Sequence, residues 1–377
     1  MNKKILLAIG MLVFTLSGRG RGEAATWTRI GPPGQFFSIS IDPFDSSRVL
    51  AATSGGLYES EDGGAHWALR TISPPATLVA FDAAVPGVAY AGTSFYVSLS
   101  NGVKISGDGG VTWSSTALIG PDRVDSLAVS AFPSDRVYAA TEYIGGLNTL
   151  RFTDFWSDDR GQSWNAFRSQ ADFLSPIVPE RSGPVVYAFD AKGQIVRSAD
   201  AAETFDATAP LPTTCIGDQP TGIAFVALAI DPRSSDVVYA TRVNQKVDCT
   251  VCGGASKSVD GGRTWTEMSV GGFVTTLAVD PADADVIYAG AALQSAEGCH
   301  PGGATLHRST DGGLTWSPFD DGLESRDILT FAIDPNGHHV YAGTVDGLYV
   351  FETPGRTRVL TSPRPDRGAP MVRRPQP

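Results

Sequence analysis

The sequence predicts an all-β protein, a seven-bladed β-propeller built of four-stranded antiparallel blades. Three observations lead to this prediction. Short phrases recur along the chain with a period of roughly 40 to 50 residues, which is the spacing of propeller blades. Each repeat contains short runs of β-branched and aromatic residues between Asp-Pro, Asp-Gly or Gly-Gly turns. No segment between these turns has the apolar period of a helix.

Each repeat has room for four strands. The first strand ends at an Asp-Pro phrase, as in SISIDP ending at Pro43 and TFAIDP ending at Pro335. The second carries an apolar-Tyr-Ala-small phrase, as in VIYAG at Val286 and VYAGT at Val340. The third runs into a phrase of the form Ser-x-Asp-x-Gly-x-x-Trp, and the fourth starts at the Trp of that phrase. Alternation of such runs with turn residues is typical of antiparallel sheets.

The Ser-x-Asp phrase, which we call the Asp box, occurs six times. The copies are SEDGGAHW at Ser60, SGDGGVTW at Ser106, SDDRGQSW at Ser157, SADAAETF at Ser198, SVDGGRTW at Ser258 and STDGGLTW at Ser309. The copy at Ser198 lacks both glycines and the Trp, which predicts a looser or remodelled fourth blade.

The Asp boxes are predicted to be structural. Each carboxylate can accept hydrogen bonds from its own turn, glycine supplies the left-handed backbone, and the Trp can pack between blades. The residues with these roles are Asp62, Asp108, Asp159, Asp200, Asp260, Asp311, Trp67, Trp113, Trp164, Trp265 and Trp316. A catalytic or calcium role for the carboxylates would require one site in every blade. Trp156 lies outside this register and is predicted to be exposed or between blades.

The two ends of the repeat region are predicted to meet. After GLYVFE at Gly347 the seventh repeat lacks a fourth strand, while an unassigned TWTRI with its Trp in register lies at Thr26 to Ile30. Pairing of this N-terminal strand with the strand through Tyr349 would complete the seventh blade and leave no long exposed edge.

These phrases resemble the BNR or Asp-box repeat, and the resemblance covers residues 26–352. The family includes sialidases, xyloglucan-degrading glycosidases, sortilin-type receptors and photosystem II assembly factors. The resemblance implies the propeller fold and leaves function open between binding and glycoside hydrolysis. The Arg-Ile-Pro element of sialidases is missing ahead of the first box, and the chain has residues for one propeller, whereas xyloglucanases set two face to face.

The termini predict export. Residues 1–25 read as a signal peptide, with two lysines before an apolar run, and residues 353–377 as a disordered tail rich in Pro and Arg. The protein is therefore expected to be extracellular or periplasmic, without membrane insertion. The net charge of −11 becomes about −19 for the body once +3 in the leader and +5 in the tail are removed. Such a body should repel nucleic acid.

Because successive strands of an antiparallel blade run in opposite directions, the loops between them divide between two faces of the ring. The Asp-Pro turns and the Asp boxes share one edge, the box face, and the second-to-third-strand loops and blade links share the other, the loop face. The loop face carries the long segments that start at Ser94, Glu142, Arg242 and Leu293. Binding usually resides in long loops on a rigid scaffold, so ligand binding is predicted there.

Candidate site residues come from this face. The candidate catalytic carboxylates are Glu142, Asp154 and Glu297, since glycoside hydrolysis needs two carboxyls across a sugar. The candidate ligand-binding residues are Phe95, Tyr96, Arg123, Tyr143, His300 and Arg326. No cofactor or metal is expected.

All four cysteines, Cys215, Cys249, Cys252 and Cys299, are also predicted on the loop face. In an exported protein an even count favours disulfides, of which three connectivities are possible. A redox Cys-x-x-Cys at Cys249, or a zinc site with His300, are the alternatives.

Taken together, the residues favour a secreted or periplasmic binding or assembly module that holds a protein or glycan ligand on its loop face. A glycoside hydrolase with carboxylates on the same face is the alternative.

Overall fold

A computed structural model describes residues 25–94, 100–120, 122–145, 149–167, 176–190, 193–212, 224–245, 251–270, 274–291, 306–325 and 327–355. For residues 143–145, 149–152, 224–226, 243–245 and 251–253 only the backbone is described. Residues 1–24 and 356–377, which make up nearly all of the predicted leader and tail, lie outside these ranges. Within them every regular element is a β-strand, and none of the described segments forms a helix able to cross a membrane.

The strands follow the repeats. The first, β1 (Thr28–Ile30), precedes blade one. Blade one contains β2 (Phe36–Asp42), β3 (Asp45–Thr53), β4 (Gly56–Ser60) and β5 (Ala68–Arg70). Blade two contains β6 (Ala76–Phe81), β7 (Ala89–Thr93), β8 (Asn101–Ser106) and β9 (Ser114–Gly120). Blade three contains β10 (Arg123–Val129), β11 (Val137–Gly145), β12 (Thr149–Ser157) and β13 (Asn165–Ala166).

The remaining blades repeat this order. Blade four contains β14 (Val178–Pro179), β15 (Val186–Phe189), β16 (Ile195–Ser198) and β17 (Asp206–Ala207). Blade five contains β18 (Ala224–Asp231), β19 (Ser234–Gln245), β20 (Val251–Ser258) and β21 (Thr266–Met268). Blade six contains β22 (Thr276–Val279), β23 (Ile287–Gly290), β24 (Leu306–Ser309) and β25 (Ser317–Pro318). Blade seven contains β26 (Ile328–Ile333), β27 (His339–Thr344) and β28 (Leu348–Glu352).

The strands form seven four-stranded antiparallel sheets, so the predicted fold class is confirmed. The first strand of each blade contacts the first strands of both neighbouring blades, in the order β2, β6, β10, β14, β18, β22 and β26, and β26 contacts β2 again. The innermost strands therefore surround a central channel. Blade seven takes its fourth strand from the N-terminus, because β1 pairs antiparallel with β28 with Thr28 opposite Val350 and Ile30 opposite Leu348.

The hydrophobic core is divided among the blade interfaces. The described residues form seven clusters of buried side chains, and each cluster joins two neighbouring blades. Six tyrosines of the second strands are among its largest members, and all are fully buried: Tyr90, Tyr138, Tyr187, Tyr239, Tyr288 and Tyr341. Some of them also donate a hydrogen bond to the next blade. The Tyr341 hydroxyl, for example, donates to the Gly63 carbonyl at 3.0 Å. Trp156 packs on such a cluster beneath Arg136, with the guanidinium carbon 4.6 Å from its ring.

The Asp boxes close on themselves by a repeated set of hydrogen bonds. In blade five the Ser258 hydroxyl donates to Asp260 at 2.8 Å, the Gly262 N–H donates to Ser258 at 2.8 Å, and the Thr264 N–H donates to Asp260 at 2.9 Å. Hydrogen bonds of this kind favour the ionised carboxylate. They lower the pKa to about 2 for Asp62, Asp108, Asp159, Asp260 and Asp311.

The Asp box of blade four keeps its hydrogen bonds, although its sequence predicted a looser or remodelled blade. The Ser198 hydroxyl donates to Asp200 at 2.7 Å and the Thr204 N–H donates to it at 2.9 Å, as in the other boxes. Ala201 and Ala202 adopt φ angles of 59° and 69° in place of glycine. A methyl side chain is small enough for the hydrogen-bonded turn to hold this strained backbone. The strands of this blade are nevertheless short, with two, four, four and two residues.

Candidate functional site

Hydrogen bonds place the Asp boxes beside the turns between first and second strands. The Gly109 N–H donates to the Gly87 carbonyl at 2.8 Å, and the Gly312 N–H donates to the Asp285 carbonyl at 2.9 Å. The box face is thus one edge of the ring. The first strands begin at the opposite edge, the loop face.

At the loop face, four consecutive blades carry a β-bulge near the start of the first strand. The breaks in register lie between Phe36 and Ser38, between Ala76 and Leu78, between Val124 and Ser126, and between Ile328 and Thr330. The extra residues are Phe37, Thr77, Asp125 and Leu329. A bulge bends its strand and re-aims a side chain, and bulges are common next to functional sites.

All four bulged residues line one pocket at the loop-face end of the channel, which we call the mouth pocket. Its volume is about 370 Å³, and it is also lined by Gln35, Phe36, Leu78, Ser94 and Val124. The lining is mostly apolar, and Phe37 keeps 38% of its surface exposed. An exposed aromatic beside a concave apolar surface is a typical ligand contact.

A group of three charged side chains borders the mouth pocket. Arg123 stands opposite Glu142 in the β10–β11 ladder, forms an ion pair with it, and lies 3.7 Å from the Asp125 carboxylate. Burial raises the pKa of Asp125 to about 7 although the charge of Arg123 opposes the shift, and the neighbouring Glu142 carboxylate adds to it. Asp125 therefore keeps its proton up to about neutral pH.

The structure brings together two of the predicted site residues, Arg123 and Glu142. Asp154 does not join them, because it lies within β12 opposite Ala140 and is only 5% exposed. Phe95, Tyr96, Glu297, His300 and Arg326 lie outside the described residues, and Tyr143 is described by its backbone alone.

Two of the predicted long loops are mostly strand. In blade three β11 continues to Gly145 and β12 resumes at Thr149, and in blade five β19 continues to Gln245 before β20 begins at Val251. Continued ladder pairing satisfies the backbone hydrogen bonds of these segments, which a long loop would leave to water. Cys215, Cys249 and Cys299 lie outside the described residues and Cys252 is described by its backbone only, so the disulfides stay a prediction.

Sequence reasoning missed Phe37, Thr77, Asp125 and Leu329. The available signal is the carboxylate within RVDSLAV at Arg123, where a first strand otherwise alternates apolar and small residues. A bulge inserts one residue without changing the composition of the strand, so the pattern alone does not show which side chain it turns towards the channel.

The raised pKa of Asp125 predicts a pH dependence of stability. Because the folded state holds a proton on Asp125 that the unfolded chain has lost, the free energy of unfolding should fall as pH rises from about 4 to about 7. Asp125→Asn should remove this slope and make the protein more stable than wild type at pH 8. Denaturant titrations at pH 4, 6 and 8 measure the effect. Glu267→Gln, on an exposed strand position, is the control and should keep the wild-type slope.

No family model matches the chain, and no curated protein matches it. Solved structures do match it. The GH74 xyloglucanase from Xanthomonas campestris is 18% identical, with a TM-score of 0.63 over 87% of this chain and 53% of that one. YCF48 from Cyanidioschyzon merolae is 15% identical, with a TM-score of 0.58 over 88% of this chain and 100% of that one. YCF48 bound to D1 peptide is 13% identical, with a TM-score of 0.56 over 88% and 98%.

These similarities show the fold. GH74 enzymes and YCF48 are both seven-bladed propellers, as this chain is. The chain spans about half the length of the xyloglucanase and nearly all of the YCF48 structures. At these identities the likeness leaves function to be argued from the site.

Proposed function

We propose that this chain is a secreted or periplasmic binding module that holds a protein or glycan ligand on its loop face. The observation that carries the proposal is the mouth pocket. Four blades each contribute a bulged residue to it, so the pocket is a feature of the rigid inner strands rather than of one loop.

The pocket lining suits a ligand with an apolar group next to a polar one. Leu78 and Leu329, which are part-exposed, form apolar wall, and fully burying one aliphatic or aromatic side chain contributes about 1.5 to 3 kcal/mol. Phe37 offers an exposed ring for a peptide side chain or the face of a sugar. Asp125 at the edge can donate a hydrogen bond while it is protonated and accept one in either state.

The glycoside hydrolase alternative finds less support among the described residues. Hydrolysis of a glycosidic bond needs two carboxyls about 5 to 10 Å apart, with the sugar between them. Asp125 and Glu142 both lie beside the same nitrogen of Arg123, so a guanidinium already contacts both carboxylates, and Asp154 is buried in its blade.

The solved structures are consistent with binding by a single propeller. One of the YCF48 structures holds a D1 peptide, and this chain covers 98% of it. The GH74 xyloglucanase is about twice as long as the region it shares with this chain.

Screening for ligands in a peptide library and in a glycan panel tests the proposal. The chain from residue 26 onward would be immobilised and screened against a displayed library of random peptides and a panel of plant and bacterial polysaccharides and sialylated glycans. We expect ligands from one class whose affinity falls at least tenfold in Phe37→Ala. Phe44→Ala is the matched control, because Phe44 is 45% exposed on the box face, and it should bind as wild type does.

The same polysaccharides also test the alternative. Release of reducing sugar that is lost in Glu142→Gln, Asp154→Asn or Glu297→Gln would make the chain a hydrolase and overturn the proposal. Ligands that bind Phe37→Ala and wild type equally well would place recognition away from the mouth pocket.

A further inference from the structure

The seven turns between first and second strands share one polar position. It is the last residue of the first strand or the one after it, and its side chain accepts hydrogen bonds from its own turn in each blade. The residues are Asp42, Asp82, Ser130, Glu180, Asp231, Asp280 and Asp334. Together they surround the box-face end of the channel. Each side chain already accepts a hydrogen bond from its own turn.

The next residue in each turn is small or a proline, except in blade four. Six blades have Pro43, Ala83, Ala131, Pro232, Pro281 and Pro335. Blade four has Arg181. Arg181 is therefore the only charged residue at this position of the seven turns.

Arg181 lines a second pocket, at the box-face end of the channel, which we call the exit pocket. Its volume is about 260 Å³, and its walls come from blades four to seven. Nine of the twelve lining residues are Val, Ile, Ala or Pro, and the other three carry charge. The lining residues are Val178, Pro179, Glu180, Arg181, Ala229, Ile230, Asp231, Pro232, Ala278, Val279, Pro281 and Ile333.

The two carboxylates that line the exit pocket already have hydrogen-bond partners. Asp231 accepts hydrogen bonds from Arg233 at 2.9 and 3.1 Å, and Glu180 accepts one from the Val185 N–H at 2.8 Å. Arg181 forms no ion pair with a carboxylate of the described residues. Although the side chain reaches solvent, the protein around it lowers its pKa by desolvation, with no carboxylate opposing the shift. The cation thus lies in a concave site beside Val, Ile, Ala and Pro residues, without a counter-ion among the described residues.

We propose that the exit pocket binds an organic carboxylate that carries a small apolar body. Arginine presents a planar fork that matches a carboxylate, and the Val, Ile, Ala and Pro walls provide the contact for aliphatic carbon. The volume is that of a small molecule or one chain terminus rather than of a folded partner. The site lies at the opposite end of the channel from the mouth pocket and is independent of the proposed function.

A homologous series of fatty acids tests this proposal. The probes are acetate, butyrate and hexanoate at pH 8, with hexanol and phosphate, titrated into the full mature chain and followed by calorimetry or by chemical shifts. Each buried methylene is expected to tighten binding about threefold to fourfold. Hexanoate should therefore bind at least tenfold more tightly than acetate, and more tightly than hexanol or phosphate.

Variants of the arginine complete the test. Arg181→Gln should weaken hexanoate binding at least tenfold, and Arg181→Lys should weaken it less. Arg263→Gln is the matched control, since it removes an exposed box-face arginine away from the pocket and should bind as wild type does. Melting curves of all variants confirm that they are folded. Equal hexanoate affinity in wild type and Arg181→Gln, or phosphate binding as tightly as hexanoate, would overturn the proposal.

Discussion

Trp27→Ala should lower the free energy of unfolding by about 3 to 5 kcal/mol, the range for removing a buried Trp. The indole is 4% exposed and donates from Nε1 to the Phe319 carbonyl at 2.8 Å. Its ring lies 5.7 Å from the rings of Phe319 and Phe351. These contacts join residues at opposite ends of the chain, so the substitution weakens the attachment of β1 as well as the core of blade seven.

Chemical denaturation of the chain from residue 26 onward measures this effect. Arg29→Ala is the control on the same strand, because Arg29 is half exposed and forms a weak ion pair with Glu324 at 3.8 Å. It should cost less than about 1 kcal/mol. If Trp27→Ala were as mild as Arg29→Ala, the N-terminal strand would not be an integral part of the propeller.

Gly110→Ala should destabilise the protein by about 3 kcal/mol, from left-handed strain and overpacking together. Gly110, in the second blade's Asp box, has a φ of 101°, and a Cβ there would lie 2.5 Å from a methyl of Leu50. Leu50 is fully buried in the cluster between blades one and two, so it has little room to move. Gly110, the second residue of the Gly-Gly pair, is therefore required by the neighbouring blade as well as by its own turn.

Gly107→Ala is the matched control within the same box. Gly107 has no neighbouring atom within 4 Å of the added Cβ and no left-handed φ. Its substitution should change the denaturation midpoint very little. Equal losses at Gly107 and Gly110 would show that the close contact with Leu50 does not account for the glycine.

The sequence predicts those features that recur in every blade. The period, the Asp boxes and the unpaired TWTRI segment led to the sheet order and to the pairing of β1 with β28. Features that break the repeat are harder to predict. Asp125 faces the channel because of a bulge, whereas Asp154 faces the blade interior because of its place in a regular ladder. Both are carboxylates in strands, and only the local register separates them.

The Asp box of blade four shows that a departure from the repeat sequence need not change the local structure. Loss of both glycines suggested remodelling, yet the Ser198–Asp200–Thr204 hydrogen bonds hold Ala201 and Ala202 in the left-handed region. A network of several hydrogen bonds outweighs a backbone preference of about 1 to 2 kcal/mol per residue.

Hydrogen exchange of the propeller, with and without a ligand taken from the peptide and glycan selection, tests the central claim most directly. If the mouth pocket is the binding surface, the ligand should slow exchange at the starts of β2, β6, β10 and β26 and leave the Asp-box turns unchanged. Protection confined to the box face, or to blade edges far from these four strands, would contradict the account and place the binding surface elsewhere on the ring.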